Sequence, residues 1–203
     1  GKLSAAFIKG VQSKGVGTSL KHFAVNSQEK RRMSISAVVD DRTFHEYYLK
    51  AFEIAVTEAK PWTVMCSYNK INDTYSSENK ELLTDILRTK WGFDGLTVSD
   101  WGAVHIRKEG VKAGLNLEMP GNKGMNNKKV LKAVQDGELN ESEVDACAQK
   151  VVELVLRSCE EKEKHASKDQ KAFSKEDILE SNHSLAVKIA ESSMVLLKND
   201  DKV

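Results

Sequence analysis

The feature that most constrains this sequence is an alternation of amphipathic helical runs with short, continuously apolar runs of β-formers. Leu3, Ala6, Phe7, Ile8 and Val11 recur at helical spacing and stop at Gly15. Thr18 to Phe23 then reads as a strand and Asn26 to Arg32 as a polar loop. Asp41 is placed to cap a long helix through Tyr47, Leu49, Phe52, Ile54 and Val56 to Ala59, ahead of Pro61. Trp62 to Ser67 is a second strand, and Ser77 precedes a helix carrying Leu82, Leu83, Ile86 and Leu87 that ends at Gly92. Leu96 to Ser99 and Ala113 to Met119 are further strands, the last closed by Pro120-Gly121. Helices are expected over Lys128–Val134 and from Glu141 to about Cys159. This order predicts an α/β fold of parallel β/α units, with strands apolar enough to be covered on both faces. Four such strands cannot close a barrel of eight, but they supply about half of one.

Residues 160–175 turn polar and lose the apolar periodicity, which reads as an interdomain connection. A helix around Ile178–Ala190 and an apolar strand, Met194–Leu197, follow. The expected organisation is a partial barrel over 1–159, a linker and helix over 160–190, and the opening of a second domain over 191–203. Without an initial Met, and with its last strand unpartnered, the chain reads as an internal segment of a longer protein.

Composition removes several function classes. Across 203 residues, 31 basic and 30 acidic side chains leave a net charge of +1, with no basic face for nucleic acid. The Lys-rich stretches, such as Lys128-Lys129 and Glu160 to Lys164, read as solvated helix faces. No apolar run approaches the ~18 residues of a membrane span. Cys66, Cys147 and Cys159 form neither a C-x-x-C pair nor a zinc-spaced cluster, so buried free thiols are expected, with no metal or other cofactor. Scattered thiols of this kind lean toward a reducing, cytoplasmic setting. Homo-oligomerisation is compatible with the sequence but not encoded in any motif.

Ligands of parallel β/α folds sit at the carboxyl ends of the strands. The four ends here carry Lys21-His22, Tyr68-Asn69, Asp100-Trp101 and Glu118-Met119. Each has a bland alternative: Asp100 as a helix cap, His22 as a satisfied core histidine, Trp101 as core filling, Arg32 as a surface arginine. Four consecutive polar strand ends favour a site. Asp100 emerges directly from Gly95-Leu96-Thr97-Val98-Ser99, as a carboxylate nucleophile would, with Lys21, His22 and Arg32 available to favour its charged form. Lys21 and His22, being adjacent, would point to opposite faces of a regular strand and need an irregularity to share a pocket.

Leu20-Lys21-His22-Phe23-Ala24 resembles the K-H-F-A motif of glycoside hydrolase family 3, the β-glucosidase and β-xylosidase branch. Gln28-Glu29-x-x-Arg32-Met33 is similar to the arginine loop that follows it, and Met65-Cys66-Ser67-Tyr68-Asn69 to the M-x-x-Y-N strand end. Trp91-Gly92-Phe93-Asp94-Gly95 through Val98-Ser99-Asp100-Trp101-Gly102 resembles the nucleophile segment, followed in order by Leu115 to Gly121. The His183-x-Leu185-Ala186 to Val195–Asn199 stretch resembles the entry into a second, α/β sandwich domain, so the chain would be the C-terminal half of the barrel plus that entry.

The resemblance implies Asp100 as the nucleophile that forms a covalent glycosyl-enzyme. Tyr68 would position it, Lys21, His22 and Arg32 would bind sugar hydroxyls, and Trp101 would line the subsite. The implied substrate is a β-glucoside or oligosaccharide, with a β-xyloside as the alternative. Ala24-Val25-Asn26 after Phe23 departs from the K-H-F-P-G-H-G of the N-acetylglucosaminidase branch. The implied acid/base is a glutamate of the second domain, and the partners of this chain would be that domain and the other half of the barrel. Within the chain Glu118 is the nearest candidate donor by strand order. Two other classes compete: a Schiff-base enzyme using Lys21, and a non-catalytic sugar-binding protein.

Overall fold

The computed structural model describes residues 1–166 and 174–200. They divide into two units, Gly1–His165 and the segment from Ala166 onward. The order of elements in the first unit follows from its apolar runs. Helix α1 (Lys2–Gln12) buries Ala5 and Ile8 against Ala55 and Ala59. Strand β1 (Ser19–Phe23) follows, then a two-residue strand β2 (Ser36–Ala37). Asp40, rather than Asp41, caps the next helix, its carboxylate accepting the Thr43 N–H at 3.0 Å. That helix runs through α2 (Asp41–Thr43), a π turn at Phe44–Tyr48 and α3 (Lys50–Ala59). Strand β3 (Thr63–Cys66), a π-wound helix at Glu81–Lys90 and strand β6 (Leu96–Val98) complete the alternation, with a small hairpin between β3 and that helix.

β1, β3 and β6 form a parallel sheet in that order, with Ser19 opposite Thr63 and Thr63 opposite Leu96. Every residue of β6 is buried, as a strand covered on both faces requires. The core is built from Phe23, Leu49, Val64, Leu82, Leu83, Leu87 and Leu115, none more than 1% exposed. Trp62 enters the sheet between two glycines for a steric reason: a Cβ on Gly17 would stand 2.3 Å from its ring, and one on Gly95 2.4 Å from its carbonyl oxygen. Gln12 ties α1 to the same point, accepting the Trp62 N–H at 3.0 Å.

The expected strand Ala113–Met119 is corrected. Ala113 ends helix α4 (Arg107–Ala113), Gly114 turns the chain with φ 100°, and only Leu117 bridges to Val98. The cause is side-chain hydrogen bonding in place of a ladder. Asn116 Oδ1 accepts from Thr97 N–H at 2.9 Å and from Arg88 Nη2 at 2.6 Å, while the Thr97 hydroxyl donates to Gly114 O at 2.6 Å. The small hairpin, β4 (Lys70–Ile71) and β5 (Thr74–Tyr75), was not expected from periodicity. Asn72 and Asp73 make its turn with φ of 46° and 69°, the left-handed pair that a two-residue hairpin needs.

Helices α5 (Met125–Gln135) and α6 (Glu141–His165) pack against α4 through a cluster of Val111, Ala133, Leu139 and Cys147. α6 continues past Cys159 to His165, so residues 160–165 are helical although they lack an apolar face; ion pairs such as Lys164–Glu161 at 2.8 Å support them. Cys66 and Cys147 are buried, whereas Cys159 is exposed, contrary to expectation, because the stretch of α6 around it, residues 155–160, is exposed throughout. Most of the polar stretch after residue 166 lies outside the described residues. In the second unit α7 (Lys175–Ser193) is capped by a reciprocal Ser174–Asp177 pair, and Met194–Leu197, expected as a strand, are exposed and belong to no strand.

Replacing Asn116 by Leu removes the shared acceptor and leaves the Thr97 N–H and the Arg88 guanidinium short of partners in a buried place. The expected loss is about 3 kcal/mol of unfolding free energy, read from urea denaturation. An unchanged midpoint would show that the network contributes nothing to stability.

Candidate functional site

The carboxyl ends of β1, β3 and β6 bring three polar groups together. Asp100 lies two residues past the end of β6, and its side chain is 13% exposed. Its Oδ1 accepts the N–H of Trp101 at 2.7 Å, and its Oδ2 lies 3.4 Å from His22 Nε2. His22 reaches it at an irregular point of β1, where the register with β3 shifts between Leu20 and Phe23. The anticipated irregularity is therefore present, and it delivers the histidine.

Tyr68 extends from the end of β3 and is buried, with its hydroxyl donating to Trp101 O at 3.0 Å. Burial pushes this phenol above its ordinary value, and the adjacent Asp100 carboxylate raises it further. Tyr68 is thereby kept as a neutral donor. The Arg32 guanidinium lies over its ring, 4.8 Å from the centroid, and pairs with Glu29 at 2.9 Å. Trp101 is 54% exposed at the mouth of the site, so its ring is available rather than core filling. Beneath the site Cys66 is fully buried, and burial pushes its thiol up to about 12, with Asp100 adding to the shift. A thiol held so far up is a packing group and no nucleophile.

Two candidates stand apart from this cluster. Lys21 is exposed and lines an open cleft with Leu3, Phe7, Val11 and Leu20, and its ammonium makes no hydrogen bond or ion pair among the described residues. Glu118 is engaged elsewhere: Asn126 Nδ2 donates to it at 2.6 Å, and Arg107 Nε lies 3.7 Å away. Sequence reasoning missed what holds the Asp100 loop. Ser77 Oγ donates to Ala103 O at 2.9 Å, and Glu78 Oε1 accepts the N–H groups of His105 and Ile106 at 3.0 and 2.7 Å. The only sequence signal was a Ser-Ser-Glu run ahead of a helix, which reads as an ordinary cap. Among the described residues no group of three or more His, Cys, Asp or Glu could hold a metal, and no helix is long and apolar enough to cross a membrane.

The Tyr68 phenol is a spectroscopic probe of this cluster. Asp100→Asn removes a negative charge beside it, so its pKa falls toward the ordinary tyrosine value, by less than the full shift because burial remains. Phenolate absorbance titrated against the parent, with Tyr68→Phe to assign the signal, checks the direction. A pKa that rises or stays put would mean that the two groups do not interact.

Known proteins resemble this chain over its whole length. A thermostable β-glucosidase B from Acetivibrio thermocellus is 47% identical over 202 residues, covering 100% of this chain and 26% of the relative. An exo-α-(1→6)-L-arabinopyranosidase from Bifidobacterium longum is 44% identical over 203 residues, again across 26% of its length. The chain thus spans about a quarter of the length of the curated relatives it matches. The crystal structure of a Bifidobacterium adolescentis GH3 β-glucosidase superimposes with a TM-score of 0.85 at 45% identity, over 97% of this chain and 28% of that one. β-Glucosidase 3B from Thermotoga neapolitana, solved with α-D-glucose, gives 0.84 at 36% identity over the same shares. Residues 1–154 match the model of the glycosyl hydrolase family 3 N-terminal domain, and the chain belongs to that family.

Proposed function

We propose that this chain is the nucleophile-bearing part of a retaining β-glycosidase that releases terminal non-reducing β-D-glucose, with Asp100 as the nucleophile. The observation that carries the reading is the Asp100 carboxylate at a parallel strand's carboxyl end, 3.4 Å from His22 Nε2 and beside the neutral Tyr68 phenol. In the first step an Asp100 oxygen bonds the anomeric carbon while the bond to the glycosidic oxygen breaks, and an acid protonates the departing alcohol. In the second step water attacks the anomeric carbon, giving its proton to that same group, now a base, as the bond to Asp100 breaks. Trp101 N–H holds Oδ1, leaving the other carboxylate oxygen as the attacking atom.

His22 and Arg32 bind ring hydroxyls in this reading, and the Lys21 side chain joins them by turning from the neighbouring cleft that it lines toward the bound sugar. Tyr68 orients Asp100 through the Trp101 carbonyl, and the exposed Trp101 ring covers the apolar face of the sugar. In this reading the three parallel strands, with Leu117 bridging where a fourth would lie, belong to the C-terminal half of an eight-stranded β/α barrel, and the segment after His165 leads toward an α/β sandwich domain.

A retaining mechanism needs a second carboxyl about 5–5.5 Å from the nucleophile. Glu118 does not suit the role, since Asn126 and Arg107 already hold it, and the donor comes from outside this chain. The chain alone is therefore inactive on ordinary glycosides. A β-xyloside is the second reading for the sugar; a relative 44% identical, an exo-α-(1→6)-L-arabinopyranosidase by name, is the reason to test a pentose at all.

The test uses the full-length protein and a 2-fluoro-glucoside with a dinitrophenolate leaving group, which departs without an acid. A stable adduct mapped to Asp100 by intact mass and peptide analysis is the expected result, and Asp100→Asn abolishes it. Labelling by the fluoro-xyloside alone would move the substrate to pentosides. No adduct from either, on folded protein, would sink the nucleophile assignment and favour a sugar-binding protein.

A further inference from the structure

The loop that carries Asp100, residues 100–106, makes a series of contacts with one segment, residues 68–78. Tyr68 donates to Trp101 O, Ser77 to Ala103 O, and Glu78 accepts from His105 and Ile106. The Tyr75 ring stacks on His105 with centroids 3.6 Å apart and planes 16° from parallel, and Lys70 covers that tyrosine at 4.9 Å. Ser77 and Ala103 are both at most 1% exposed, so the middle of this contact is closed to solvent.

Glu78 stands out in the series. A single oxygen takes two consecutive backbone N–H groups at the point where the loop becomes α4, whose cap residue Ile106 supplies no side-chain cap of its own. A charged acceptor shared by two amide donors is among the stronger ways to fix a backbone. The orientation of Asp100 depends on that backbone, because its Oδ1 is held by the Trp101 N–H and its carbonyl accepts the Ala103 N–H at 3.1 Å.

We infer that Glu78 is a positioning residue for catalysis: its carboxylate fixes the His105–Ile106 end of the loop and thereby sets the attack angle of Asp100. The inference rests on the assignment of Asp100 as nucleophile. Glu78 acts through the loop backbone, whereas the residues assigned to the sugar hydroxyls, Lys21, His22 and Arg32, lie on β1 and the loop after it. Loss of Glu78 should therefore impair bond formation more than sugar binding. Misplacement of a reacting group by about 1 Å can cost on the order of 100-fold in rate.

The experiment measures inactivation of the full-length protein by the 2-fluoro-glucoside, separating the rate constant at saturation from the half-saturating concentration. Glu78→Ala is expected to lower the rate constant by about 10- to 100-fold with half-saturation changed less than about twofold. Glu78→Gln, which keeps an acceptor oxygen, recovers most of the rate. Leu139→Ala, a buried change in the α5–α6 cluster, is the control for lost stability alone. If Glu78→Ala does not fold, Glu78→Asp takes its place, being one methylene too short to reach both N–H groups from the same backbone. Equal rate losses in the Glu78 and Leu139 variants, no rescue by Gln, or a change confined to half-saturation would each overturn the inference. Unlabelled wild-type protein would instead remove the nucleophile assignment on which it stands, and would be seen before any variant is made.

Discussion

A carboxylate at the end of a strand is only as well placed as the strand, and here β6 is fixed from inside by Thr97. That residue is fully buried in the middle of a three-residue strand, where an apolar side chain would ordinarily pack. Its hydroxyl and amide instead bind Gly114 and Asn116, and Asn116 in turn holds the Arg88 guanidinium. One buried polar network thus ties the strand to the helix before it and the turn after it. Polar burial is tolerable only when every partner is met, and the reward is a register that cannot slip without stranding several groups at once. Asp100, three residues further on, inherits that position.

The elements legible in the sequence were those with apolar runs between turn signals. β6 was readable because a strand buried on both faces has no polar alternation, and β1 and β3 because their part-buried β-formers lie between a glycine or proline and a polar loop. The helices with Ile8, Leu83 and Leu87 were readable because one stripe faces the core. Elements held by backbone or single side chains were not. Leu115–Met119 has strand composition, yet the Asn116 side chain takes the place of a ladder partner and leaves Leu117 with one bridge. The β4–β5 hairpin is too short for any period, and its sole signal was Asn72-Asp73 at the turn. The α6 extension is held by i,i+3 charge pairs, which look identical to a polar linker.

The site divides in the same way. His22, Tyr68 and Asp100 could be placed together because they sit at successive strand ends, and strand order is a sequence property. Lys21 shows the limit of that reasoning. Its neighbour's approach to Asp100 says nothing about its own direction, and it lines a different cleft. Glu78 was invisible for another reason: it binds N–H groups of the main chain, and a main-chain partner leaves no mark in the sequence of His105 or Ile106.

That asymmetry bears on how such a site can diverge. The groups assigned to the sugar lie on β1 and the loop after it, while the loop carrying Asp100 is held from the 68–78 segment through carbonyl and amide groups. Side chains can be exchanged on the first set without moving the second, because the contacts that fix Asp100 are mostly made to main-chain atoms. Tyr68 is the exception. It touches both sets, with its hydroxyl on Trp101 and its ring under Arg32, and its phenol is held neutral by burial and by the carboxylate it serves. On the proposed assignment a substitution at Tyr68 disturbs recognition and attack together, whereas changes at Arg32 or Glu78 act on one and spare the other.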